Sequence, residues 1–105
     1  MTPPWTGQKS YLLRGFAMYA VLFQVDMKQD WQGDVDAELD HLAAQVKSAP
    51  GFVRATWASD GTSGMSFIVM KDEESAREMA NGGDIPPEAS VTFRSVSVYE
   101  IARDI

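Results

Sequence analysis

His41 is the chain's single histidine, and there is no cysteine. These two facts bound the chemistry. Without cysteine there is no disulfide, zinc–thiolate site, iron–sulfur cluster or thiol nucleophile. Histidine alone has an unperturbed pKa near neutrality, and His41 falls off the apolar stripe marked by Leu39, Leu42 and Val46, turned toward solvent. No glycine-rich phosphate loop, paired His/carboxylate metal spacing or Ser–His–acid arrangement is readable. No cofactor and no metal is expected.

The other residues able to do chemistry lie inside apolar runs. Gln24, Thr56 and Ser66 can orient a ligand carbonyl or solvate an exposed sheet face. Trp57 shares a strand face with Val53 and Ala55, so it is either a cavity wall for a flat aromatic ligand or a packed core residue. Arg54 and Arg94 sit within strands, where a guanidinium must find an acid, a solvent face or an anionic ligand. A surface or interchain salt bridge, for example to Glu100 or Asp104, is one solution; anchoring an enolate or carboxylate is the other. Tyr19 and Tyr99 can donate protons or simply pack. The ligand-binding candidates are Trp57, Arg54, Gln24, Ser66, Leu22 and Met70, with no catalytic set assigned.

Five strand and helix patterns, and a sixth less regular one, must position these groups. Residues 19–27 alternate as a strand, with Tyr19, Val21, Phe23, Val25 and Met27 on one face. Ala20, Leu22, Gln24 and Asp26 form the other face, expected to meet a cavity or partner together with Ser66, Ile68 and Met70. Asp34 is placed to cap a helix running to about residue 49, with Val35, Leu39, Leu42, Ala43 and Val46 as its stripe and Pro50-Gly51 as its stop. Residues 52–59 and 65–71 read as strands joined by the turn-forming stretch Asp60-Gly61-Thr62-Ser63-Gly64. Asp72 caps a second helix through Asn81, with Ala76, Met79 and Ala80 inward. A loop containing Pro86 and Pro87 leads to a last strand from Val91 to about Ile101. Its apolar parity changes between Phe93 and Val96, which requires a bulge or two covered faces.

The resulting order, β-α-β-β-α-β, implies an α+β, ferredoxin-like fold: a four-stranded antiparallel sheet with both helices on one face. At 105 residues there is room for one such domain, spanning 18–105, behind an extension at 1–17 that carries Trp5, Tyr11, Leu12 and Leu13. The extension is expected to lie on the domain or on a partner. Lys9 and Arg14 ahead of the apolar run 15–23 superficially resemble a signal peptide. No small-x-small cleavage site follows, and the run alternates as a strand too short to span a membrane.

The formal net charge is −6, with Asp30, Asp34, Asp36, Glu38 and Asp40 clustered along the first helix. A negative surface repels phosphate backbones, so no nucleic-acid partner is expected. A cytoplasmic location suits a cysteine-free chain, and a domain this small gains from pairing with a second copy.

The element order, the junction Ser-Ala-Pro-Gly-Phe at 48–52 and the segment Phe-Ile-Val-Met-Lys-Asp-Glu-Glu-Ser-Ala at 67–76 together resemble the antibiotic-biosynthesis-monooxygenase-like proteins of the dimeric α/β-barrel superfamily. The resemblance implies a homodimer whose two sheets face each other and enclose a small-molecule cavity in each subunit. It also implies a choice of activities on hydrophobic cyclic metabolites. One is cofactor-independent monooxygenation or isomerisation, with the substrate held as an enolate or phenolate by Arg54 and Gln24 and stacked on Trp57. Another is non-catalytic ligand binding, or an accessory role, on the same fold; a third is an interior filled by side chains. Haem-degrading relatives use an axial histidine around the second helix and an asparagine on the first strand. This chain has no histidine between Asp72 and Ser90 and offers Gln24 on the first strand, so haem breakdown is not expected.

Overall fold

In the computed structural model, the structure describes residues 17–105. Trp5 and Tyr11, expected to pack as part of the extension, lie outside the described residues. The elements are β1 (Tyr19–Met27), α1 (Val35–Lys47), β2 (Phe52–Ser59), β3 (Ser63–Met70), α2 (Glu73–Asn81) and β4 (Val91–Glu100). The strands form one antiparallel sheet in the order β2-β3-β1-β4. This is the ferredoxin-like α+β arrangement that the pattern of elements implies.

Local chemistry sets the boundaries. Asp34 accepts a hydrogen bond from the Ala37 amide at 3.1 Å, and Asp72 accepts one from the Ser75 amide at 2.8 Å. Each carboxylate satisfies an orphan donor in the first turn of its helix. Gly51, at φ 87°, makes the sharp exit from α1 toward β2. A Cβ on it would stand 2.4 Å from the Ser75 hydroxyl oxygen, so the helix-to-strand junction packs directly on the start of α2. β3 begins at Ser63, two residues earlier than the pattern suggests. The cause is Asp60: its amide donates to the Ser63 carbonyl at 3.0 Å while its carboxylate collects the Thr62 and Ser63 amides.

Directly paired residues in an antiparallel sheet share a face. Val21 therefore aligns with Ile68 on one side and Val98 on the other, and Ile68 aligns with Ala55. The neighbouring row is Trp57, Ser66, Phe23 and Val96. Both rows pack beneath Val46 and Leu42 of α1 and Ala76 and Met79 of α2, so both helices lie on the same face. Val21 is 0% and Ile68 2% exposed. Truncating such a residue to Ala costs about 2–5 kcal/mol.

Two bulges interrupt the edge strands. One follows Phe52 and leaves Val53 unmatched; the other leaves Arg94 unmatched opposite Gln24 and Val25. The second accounts for the parity change in the last strand. Adding one residue at Arg94 lets Val91 and Phe93, then Val96 and Val98, all face the helices.

Candidate functional site

Two surfaces stand out: the sheet face away from the helices, and a groove beside β4. On the sheet face, left uncovered by helices among the described residues, Leu22 aligns with Phe67 and Ser97, and Gln24 with Met65 and Ser95. Arg54 aligns with Val69, and Thr56 with Phe67. Leu22, Gln24 and Phe67 are half-buried, and Tyr99, beside Ala20, is exposed. The face is apolar along its two central strands and polar toward the edges. Ion pairs stand at its two ends, Arg54–Asp104 at 3.0 Å and Arg94–Asp26 at 2.6 Å. The sequence reading named Asp104 as a partner for Arg54, and the pair forms within the chain.

The register corrects one grouping. Ser66, Ile68 and Met70 align with Phe23, Val21 and Tyr19, so they lie under the helices and not beside Leu22 and Gln24. Phe67, Met65 and Val69 take the places assigned to them. The physical reason is that β3 is apolar on both faces, so its alternation carries no mark of which side the helices cover. Met70 is 1% exposed and belongs to the core. Trp57 is also on the helix side, packed against that core, with its indole Nε1 buried and without a hydrogen-bond partner. The structure thus brings Leu22, Gln24 and Arg54 onto one face and separates Trp57, Ser66 and Met70 from them.

The groove was not legible in advance. It has a volume of about 710 Å³ and lies between the end of α2, the loop at 81–90 and the helix-facing side of β4. Phe93, Val91, Val96 and Ile85 supply its apolar lining; Asn81, Thr92, Lys28 and Asp84 supply its polar lining. Phe93 is 51% exposed because α2 ends before it can cover the start of β4. Gly83 closes the inner side: a Cβ there would stand 2.5 Å from the Phe23 ring. The sequence signals were Phe93 in a half-covered parity and the Pro86-Pro87 pair that stiffens the loop.

That loop is fixed from outside by three side chains. Lys28 donates from Nζ to the Pro87 carbonyl at 2.5 Å, and Trp31 donates from Nε1 to the Glu88 carbonyl at 2.8 Å. Glu38 accepts from both the amide (2.9 Å) and the hydroxyl of Ser90. The two carboxylates with displaced pKa values lie elsewhere. Hydrogen bonds from Ser63 and Thr62 hold the Asp60 carboxyl well below the usual range, and those from Ser75 lower Asp72. His41 is exposed on α1 and lines neither surface. Among the described residues no group of three or more metal-ligating side chains converges, and no helix is long and apolar enough to cross a membrane.

No family model matches the chain, and no curated protein matches it. Among solved structures, the chain is similar to a haem-degrading protein of Mycobacterium tuberculosis, crystallised free of haem, at a TM-score of 0.60 and 17% identity. The likeness covers 86% of this chain and 97% of that one. At that identity it is a likeness of fold.

Proposed function

We propose that the chain is a dimeric small-molecule-binding protein of the antibiotic-biosynthesis-monooxygenase-like kind, holding a hydrophobic ring system in the groove beside β4. Phe93 carries this reading. A phenylalanine half exposed among Val91, Val96 and Ile85 leaves apolar area in water that a flat ligand would cover. Asn81 and Thr92 at the rim supply donors and acceptors that fix its orientation.

Binding without chemistry is the favoured form. General acid–base catalysis needs a matched pair of titrating groups within reach of the ligand. Lys28 and Asp84 are the ionisable residues of the groove among those described, and Lys28 is engaged by Pro87. Cofactor-independent oxygenation or isomerisation of the bound ring is the second reading, supported by the family resemblance and by a fold shared with a haem-degrading protein.

Haem itself does not fit. Haem iron takes an axial His, Cys, Met or Tyr, and among the described residues none of these lines the groove. The chain's single histidine is exposed on α1.

The uncovered sheet face serves the dimer in this proposal. Leu22, Phe67 and Met65 are flanked there by Gln24, Ser95 and Ser97, an apolar centre with a polar rim. Two copies placed face to face would bury that apolar centre, with Leu22, Gln24 and Phe67 at the contact.

Titration with the neutral apolar dye Nile red tests the groove. The reading requires saturable binding that weakens at least fivefold in Phe93→Ala, with little change in unfolding midpoint because the side chain is half exposed. Undiminished binding in that variant would contradict it.

A further inference from the structure

The segment after β4 joins opposite edges of the sheet. β4 and β2 are the two edge strands, with β1 and β3 between them. Ile101 still follows β4, its amide donating to the Met18 carbonyl at 2.9 Å. Three residues later, Asp104 reaches Arg54 on β2 at 3.0 Å. Strands lie about 4.8 Å apart, so three spacings come to about 14 Å. Three extended residues cover about 10 Å, and the Arg54 side chain makes up the difference. The segment must therefore run across the sheet and not along it. Arg54 belongs to the uncovered face, so the crossing is on that side. Ala20 and Val69 lie on this path and are 1% and 0% exposed, although neither helix is on their side.

We propose that residues 101–105 form a displaceable strap across the open sheet face. In it, the Asp104 carboxylate stands in for an anionic ligand of Arg54, and a carboxylate- or sulfonate-bearing hydrophobic molecule takes its place. The chemistry favours exchange. Arg54 presents a planar fork of donors that suits an oxyanion. Its present partner is held by an exposed pair, with side chains 47% and 39% exposed, and such pairs contribute little. Beside the guanidinium, Val69, Ala20 and Tyr99 offer the apolar surface that a ring attached to the anion would cover once the strap lifts. Arg94, the other arginine on this face, is held by Asp26 of the adjacent β1 and needs no strap. This inference does not depend on the groove beside β4.

The experiment uses the full chain and two dyes: anionic 8-anilinonaphthalene-1-sulfonate, and neutral Nile red as the control for apolar exposure. Asp104→Asn should tighten binding of the anionic dye about two- to fivefold and that of Nile red by clearly less. Arg54→Gln should weaken binding of the anionic dye, and in Arg54→Gln/Asp104→Asn the gain should vanish. Circular dichroism melting of each variant checks that the fold is retained, as exposed substitutions should allow. Three outcomes would overturn the proposal: no change in the anionic dye for Asp104→Asn, equal gains for both dyes, or a gain that survives the loss of Arg54.

Discussion

Glu38 on α1 grips Ser90 at the start of β4 with both carboxylate oxygens, one taking the amide N–H at 2.9 Å and the other the hydroxyl. Ser90 is 5% exposed and 52 residues away in sequence, so this is a tertiary clamp and not a local turn. It sets where the 81–90 loop joins the sheet, and hence the mouth of the groove. Glu38→Ala leaves a buried amide and hydroxyl without their acceptor, which costs about 1–3 kcal/mol. Urea unfolding should show that loss. Because the loop also holds Trp31 through Glu88, the tryptophan emission should shift toward that of exposed indole under native conditions. Unchanged stability and emission would show the clamp to be idle.

Gly51 and Gly61 both have positive φ, at 87° and 95°, but differ in surroundings. A Cβ at Gly51 meets the Ser75 side chain, whereas one at Gly61 meets nothing within 4 Å. Gly61→Ala therefore costs only the left-handed backbone penalty, about 1–2 kcal/mol. Gly51→Ala adds a clash with the start of α2 and should be clearly the more destabilising. Equal unfolding midpoints for the two variants would contradict the packing described for this junction.

Asp60 and Asp72 have carboxyls held below their ordinary pKa by hydrogen bonds that only the folded chain supplies. A depressed folded-state pKa means that the unfolded chain binds protons first as pH falls. The contribution of each is fully present above the unfolded value near 4 and is lost as pH drops toward the lower folded one. Stability should therefore decline from about pH 5 downward. Asp60→Asn should be less stable than the parent at pH 7 and show a shallower decline below pH 4. Parallel curves for parent and variant would mean that Asp60 does not drive the acid response.

Much of the fold was legible because its signals are local. Asp34 and Asp72 cap helices through hydrogen bonds three residues away, and Gly51 stops α1 by its own backbone angle. The changed parity after Phe93 pointed to the bulge found at Arg94. The candidate site was legible only in part, because it depends on pairing between distant segments. Leu22 and Gln24 were placed correctly relative to each other, since one strand carries both. Ser66 and Met70 were not, since β3 offers apolar residues to both sides and only its register with β1 decides which side is which. The groove escaped notice because Phe93 becomes exposed through the early end of α2, a property of neither segment alone.

The uncovered face should carry the dimer. Leu22 lies near its centre, half-buried, opposite Phe67 and Ser97. Sedimentation equilibrium of the parent should give twice the chain mass of 11.6 kDa at micromolar concentration. Leu22→Arg would place an unpaired charge in the contact and should give the single-chain mass with an unchanged circular dichroism spectrum. A parent that stays monomeric through tens of micromolar would contradict this assignment of the face.

Amide chemical shifts on titration with a small neutral aromatic such as naphthalene report whether the groove beside β4 holds a hydrophobic ring. Saturable shifts should concentrate at Asn81, Gly83, Ile85 and residues 91–96 and be lost in Phe93→Ala. Shifts confined to Leu22, Gln24 and Phe67, or none at the solubility limit of the aromatic, would contradict a ring in the groove.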